Sequence, residues 1–177
     1  MIWLLASLSF AEPPTCSTAD LEALPKPADT MAVAWVAPWS RRPSGWLKVV
    51  PTVELSGWLA AQDPPWTGRT LQRLGLRRRG TDPKRRWQVR VYEVDRDQLC
   101  RPIATVEQDV IVAGLPACPA RISGEGRKTA GCGHTLDRKT GEEGPTLFAL
   151  KVGDVRDRGY CVVPLDRYIE QAGRVLR

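Results

Sequence analysis

The sequence predicts an α+β domain: a mostly antiparallel β-sheet with two short central helices and a C-terminal amphipathic helix, stapled by disulfides. Three observations carry this expectation. Segments with strand-like alternation, clearest at 87–93, do not alternate with helical segments as βαβ units. Helical spacing is confined to two short stretches in the middle of the chain and to its tail. The five cysteines, Cys16, Cys100, Cys118, Cys132 and Cys161, stand singly along the chain rather than as CxxC pairs, a distribution that in an exported protein reads as disulfides.

Taken in order, residues 1–11 (MIWLLASLSFA) form an uncharged apolar run that closes on the small-x-small triplet Ser9-Phe10-Ala11, as a signal peptide does. The run is too short to cross about 30 Å of hydrocarbon, which takes about 20 helical residues. Residues 12–30 contain Pro13, Pro14, Pro25 and Pro27 and read as an extended lead-in. The remaining span, 31–177, is the length of a single domain.

Met31 to Ala37 is the first strand candidate and Trp46 to Val50 the second. Pro51-Thr52 then introduces a helix with Thr52 as N-cap, its buried stripe made by Leu55, Trp58 and Leu59. A shorter helix follows behind Thr67, with Leu71 and Leu74 on one side and Gly75 at its end. Trp87 to Glu93 alternates cleanly, placing Trp87, Val89 and Val91 inward. Further strands are expected over Ile103 to Val112, Thr146 to Val152 and Tyr160 to Val163. Leu165 to Leu176 places Leu165, Tyr168, Ile169, Ala172, Val175 and Leu176 at helical spacing behind Asp166. No internal repeat is visible.

An apolar content of 42% with 26% charged residues excludes a disordered or polytopic membrane chain. Within this composition the distribution of charge is uneven. Between Arg69 and Arg90 lie Arg69, Arg73, Arg77, Arg78, Arg79, Lys84, Arg85, Arg86 and Arg90 against Asp82 alone, so the net charge of +6 is concentrated in one segment. A concentrated positive surface attracts an anionic polymer, a membrane surface or an acidic protein. Arginine adds bidentate hydrogen bonding to phosphate or carboxylate.

Seven tryptophans exceed the five Phe and Tyr combined. Trp35, Trp58 and Trp87 fall at inward positions of the expected elements, whereas Trp39, Trp46 and Trp66 fall in Pro-rich turns, where an indole beside arginine suits a binding face. The expected binding residues are Arg69, Arg73, Arg77, Arg78, Arg79, Lys84, Arg85 and Arg86, with Trp66.

Cys118 to Gly144 is glycine-rich around Cys132-Gly133-His134. The expected disulfides are Cys118 with Cys132 and Cys100 with Cys161, leaving Cys16 over. A metal site on Cys118, Cys132 and His134, with Cys161 or Asp137 as fourth ligand, matches no usual ligand spacing. A Cys132–His134 nucleophile pair lacks a recognisable orienting carboxylate. Residues 124–129 (GEGRKT) lack the spacing of a phosphate loop, and with His134 as the sole histidine no G-x-S-x-G elbow accompanies it. No cofactor is expected. Three readings follow: an exported, non-catalytic domain binding an anionic envelope component or partner protein through a basic Arg/Trp face; a Cys/His-based enzyme or metal or redox site around Cys132 and His134; and a cytosolic nucleic-acid-binding protein.

Overall fold

A computed structural model describes residues 28–60, 71, 74, 76, 86–103, 111, 112, 114–119, 129, 130, 133–136, 142–154 and 160–175. The expected signal segment and most of the lead-in lie outside these residues. Inside them the chain is α+β and its sheets are antiparallel, with a disulfide, as the sequence predicts.

Strands β1 (Thr30–Pro38), β2 (Trp46–Pro51), β3 (Trp87–Asp95), β4 (Leu99–Cys100), β10 (Phe148–Lys151) and β11 (Tyr160–Pro164) form one six-stranded sheet in the order β11-β3-β1-β2-β10-β4. Every neighbouring pair in it is antiparallel. The β1–β3 ladder, running from Thr30↔Asp95 to Pro38↔Trp87, is its longest pairing. Helix α1 (Thr52–Ala60) leaves β2 without a loop, and helix α2 (Leu165–Val175) leaves β11 in the same way. Two smaller sheets complete the described part. One joins β5 (Ile111–Val112) to β6 (Leu115–Pro116), and the other joins β7 (Thr129–Ala130), β8 (His134–Leu136) and β9 (Glu143–Thr146).

Connectivity holds a repeat that the sequence conceals. The units β1-β2-α1 and β3-β11-α2 are each an antiparallel strand pair followed directly by a helix, and each second strand ends in Val-Val-Pro, at 49–51 and 162–164. β1 and β3 meet at the centre with β2 and β11 outside them, as a two-fold relation requires. Proline ends each of these strands, having no N–H to donate to a continuing ladder. In the second unit an insertion between β3 and β11 supplies β4 and β10, which extend the sheet beyond β2. The two helices lie on the same face and touch: Ser56 Oγ and Tyr168 Oη share a hydrogen bond of 3.1 Å.

Both faces of the large sheet are buried. On the helix side, Leu55 and Leu59 of α1 and Leu165, Ile169 and Ala172 of α2 cover Val36, Val50 and Val89, each large aliphatic contributing about 1.5–3 kcal/mol on burial. On the other side Val33, Trp35, Leu47, Val49, Tyr92, Val94, Phe148 and Leu150 form a second cluster with Leu99 and Leu115. Strand β3 accordingly departs from the one-sided alternation expected of it. Val89 is inward, but so are Gln88, Tyr92 and Val94, while Trp87 and Val91 are only half-buried.

Other expectations shift locally. Thr52 Oγ1 donates to Ala32 O at 3.2 Å, so this hydroxyl ties α1 to β1. The single strand expected over Thr146 to Val152 is two: β9 belongs to the small sheet and β10 to the large one. Leu147 lies between them with its N–H donated to Gly133 O, and Val152 begins a 3₁₀ turn. Of the strand expected from Ile103 to Val112, Ile103 is buried without being in a strand and Ile111–Val112 pair within a short hairpin. Residues 104–110 lie outside the described set. Leu71 and Leu74 are buried in the helix-side cluster, while the rest of the short helix expected behind Thr67 falls on residues outside the described set.

The disulfide joins Cys100 to Cys118, with Cα atoms 4.9 Å apart. This corrects both expected pairings, Cys118 with Cys132 and Cys100 with Cys161. The reason is topological. Arg101 and Ala117 form a parallel bridge, with Arg101 N–H donating to Pro116 O and Cys118 N–H to Arg101 O, each at 3.0 Å, and this alignment brings Cys100 and Cys118 side by side. Cys161, on edge strand β11, is an exposed free thiol. Cys16 and Cys132 lie outside the described residues.

Candidate binding surface

The Pro38 end of the β1–β3 ladder gathers the arginines and an exposed tryptophan. A tight turn closes β1, with Arg41 N–H donating to Pro38 O at 2.9 Å, and Trp39 N–H donates to Arg86 O at 2.9 Å. From beneath, the buried Gln88 holds this turn: its Nε2 donates to Pro38 O at 3.1 Å and lies 3.3 Å from both Trp39 O and Arg41 O. Its Oε1 accepts from Arg90 Nε–H at 3.2 Å. A buried amide engaged at both ends fixes the orientation of everything bonded to it.

Trp35, ladder partner of Arg90, is buried, and the guanidinium carbons of Arg41 and Arg90 each stand 5.9 Å from its ring centroid. Two cations thus lie against one indole at distances that favour cation–π attraction. Trp39 is 50% exposed, one of only two large apolar side chains described as exposed. Arg41, Arg42 and Arg86 are exposed around it and Arg90 is half-buried. No carboxylate among the described residues pairs with Arg41, Arg42 or Arg86. The ion pair described nearest in character, Arg96 with Asp29 at 3.4 Å, sits at the other end of the ladder.

Of the binding residues expected from sequence, Arg86 is therefore on this surface. Arg69, Arg73, Arg77, Arg78, Arg79, Lys84, Arg85 and Trp66 lie outside the described residues. Sequence reasoning missed Arg41 and Arg42, which precede the long basic segment by about thirty positions and join it only through the β1–β3 pairing. A signal for them existed in the adjacency of Trp39-Ser40-Arg41-Arg42. Among the other tryptophans, Trp58 and Trp87 pack against the helix-side cluster and Trp46 covers the Cys100–Cys118 disulfide.

In the glycine-rich region the structure bears on the metal reading through Cys118 and His134. Cys118 is consumed by its bond to Cys100, which removes it as a thiolate ligand. His134 Nδ1 lies 3.3 Å from Gly144 O, a contact made across the β8–β9 pairing in which His134 faces Thr146. Among the described residues no group of three His, Cys, Asp or Glu stands close enough to hold a metal ion. Cys132 and Asp137 are outside them.

Arg101 is the unusual charge of the interior. Its side chain is fully buried, none of its three guanidinium nitrogens has a hydrogen-bond partner among the described residues, and the guanidinium carbon stands 5.0 Å from the Phe148 ring centroid. Burial lowers its pKa to about 10, against the raising influence of the Glu54 carboxylate. Glu54 is itself engaged, its Oε2 accepting from Thr146 N–H at 2.7 Å. Gly133 makes room for the arginine: it has φ +75°, and a Cβ there would stand 3.0 Å from Arg101 Cγ. Glycine alone satisfies both demands without strain.

Comparison with protein-family models, with curated proteins and with solved structures finds no match for this chain. Among the described residues no helix is long and apolar enough to cross a membrane.

Proposed function

We propose that the chain is an exported, non-catalytic domain that binds an anionic component of the cell envelope through a basic Arg/Trp face. One observation carries the reading: Trp39 stands half-exposed among Arg41, Arg42 and Arg86, on a turn held by backbone bonds and by buried Gln88. Held by the turn beside guanidinium groups that no carboxylate among the described residues pairs, the indole meets an anionic surface with little further loss of entropy. Guanidinium forks take phosphate or carboxylate oxygens two at a time, and the indole fits the boundary between apolar and polar layers.

The neighbouring basic segment from Arg69 to Arg86 supports the same assignment by charge alone. Export is supported by the apolar run 1–11 and by the disulfide, which suits an oxidising compartment.

The test is sedimentation of the protein with vesicles of phosphatidylglycerol mixed into phosphatidylcholine, beside soluble polyphosphate and neutral vesicles. Wild type is expected to bind the anionic vesicles and not the neutral ones, each arginine contributing about 1 kcal/mol, or roughly fivefold. Polyphosphate competing as well as vesicles assigns the site to a soluble polymer, and vesicle binding alone assigns it to a lipid surface. Equal sedimentation with neutral and anionic vesicles, together with no binding to polyphosphate, contradicts the proposal.

A further inference from the structure

A small pocket opens on the helix side of the large sheet. Ala34 and Val50, paired across β1 and β2, line it with Val36, and Leu74, Leu76 and Leu147 complete its aliphatic lining. All but Leu76 belong to the buried core of that side, and Leu76 packs against it. The space measures about 40 Å³, room for a few heavy atoms when a single water needs about 10–15 Å³.

Two of the described lining residues are polar, Lys48 and Thr135. Lys48 is already engaged in an interaction of its own, so the pocket is read without a free charge. Thr135 stands otherwise: the residue is 2% exposed, and its Oγ1 has no hydrogen-bond partner among the described residues. Burying a hydroxyl in that state is unfavourable. A resident water relieves it poorly, because an ordered water needs two to four polar partners and Thr135 is the one uncommitted polar side chain of the described lining.

We infer that this pocket binds a small neutral aliphatic molecule carrying one oxygen, an alcohol or a ketone. Its carbon chain covers Val36, Val50 and Leu74, each buried methylene strengthening binding about fourfold. Its oxygen pairs with Thr135 Oγ1, whose hydroxyl donates to a ketone and either donates to or accepts from an alcohol. Burial of carbon supplies the affinity, and the hydroxyl supplies the selectivity. A carboxylate or an ammonium on a chain of the same length leaves water for a site with no free counter-charge, which disfavours it. None of these residues belongs to the Arg/Trp surface, so the inference stands or fails independently of the proposed function.

The test is an NMR titration of the methyl groups of Leu74, Leu76 and Val50 with butanol, butanone, butyrate and butylamine, on wild type, Thr135→Val and Thr135→Ser. Butanol and butanone are expected to give saturable shifts at these methyls, with butyrate and butylamine at least tenfold weaker. Thr135→Val, close in shape but without the hydroxyl, is expected to weaken both neutral ligands by about fivefold, the scale of one neutral hydrogen bond. Thr135→Ser, which keeps the hydroxyl, is expected to bind them within about twofold of wild type. The same spectra report whether each variant is folded. No saturable shift with butanol or butanone, or butyrate binding as tightly, overturns the inference. So does undiminished binding by folded Thr135→Val, or a folded Thr135→Ser that binds no better than Thr135→Val.

Discussion

Trp39 donates its backbone N–H to the carbonyl oxygen of Arg86 at 2.9 Å, coupling the exposed indole to the arginine that leads into β3. Beneath this bond Gln88 engages three carbonyl groups of the same turn. Gln88→Ala changes no charge and replaces no exposed side chain. It leaves the Trp39 and Arg41 carbonyls without this donor and opens a gap at a fully buried position. The expected result is a loss of about 1–3 kcal/mol in stability, measured by urea unfolding, with weaker binding to anionic vesicles under conditions where the variant is fully folded. Trp39→Ala, at a half-exposed site, is expected to weaken binding while changing stability by about 0.5 kcal/mol or less.

The Cys100–Cys118 bond closes a loop with a sequence separation of 18. Loop-closure entropy for that length contributes about 3 kcal/mol. Replacing both cysteines with alanine is expected to lower Tm by about 6–12 °C, at the usual 2–4 °C per kcal/mol for a chain of this size. Non-reducing peptide mapping is expected to recover Cys100 linked to Cys118, with Cys161 open to alkylation in the native protein.

Arg101 is a buried cation without a hydrogen-bond partner among the described residues, held over Phe148. Its folded pKa, lowered by burial to about 10, means that folding disfavours its charged form. Below pH 10 both states are charged and the cost is constant. Above pH 10 the folded state releases the proton first, the unfolded state then holds more protons, and stability rises with pH. Arg101→Met keeps the stem against Phe148 and removes the charge. It is expected to stabilise the protein at neutral pH by about 1–4 kcal/mol, with the advantage over wild type shrinking above pH 10. Destabilisation at neutral pH by this substitution would mean that the guanidinium has a partner in solution.

Tyr168 acts with the opposite sign. Burial raises its phenol pKa above the ordinary 10.0, opposed by the hydrogen bond with Ser56. Above pH 10 the unfolded state loses the phenolic proton first, so this group makes stability fall as pH rises. Tyr168→Phe is expected to abolish that contribution and to cost about 1 kcal/mol at neutral pH from the lost bond between the helices. Denaturant midpoints for the two proteins at pH 8 and pH 11 check both statements.

Much of the large sheet is legible in sequence because its strands carry β-branched and aromatic residues between proline and glycine punctuation. β1, β2, β3 and β11 all stand where alternation places them, within a residue or two at their ends. The side-chain faces were less legible. Gln88 reads as outward beside Trp87 and Val89, yet it is buried under the turn from Pro38 to Arg41, and a second cluster covers Tyr92 and Val94. Thr146 to Val152 reads as one strand because nothing local marks Leu147 as the step between two sheets. The disulfide depends on the Arg101–Ala117 bridge, a contact between distant segments that no cysteine spacing encodes. Arg101 itself looks like any surface arginine in sequence, and its burial follows from Gly133 and Phe148 closing around it. The Arg/Trp surface was half-legible: charge clustering found Arg86, while Arg41 and Arg42 join it only after β1 and β3 pair.

The salt dependence of binding to phosphatidylglycerol-containing vesicles tests the central claim most directly, comparing wild type with a variant carrying Arg41→Gln, Arg42→Gln and Arg86→Gln. Wild-type affinity is expected to fall steadily as salt is raised from about 50 to about 200 mM, the range over which released counterions weigh most. The triple variant is expected to bind roughly a hundredfold more weakly at low salt, from about 1 kcal/mol per charge, with a shallower salt slope. A wild-type affinity indifferent to salt, or a folded triple variant that binds as wild type does, would contradict the account.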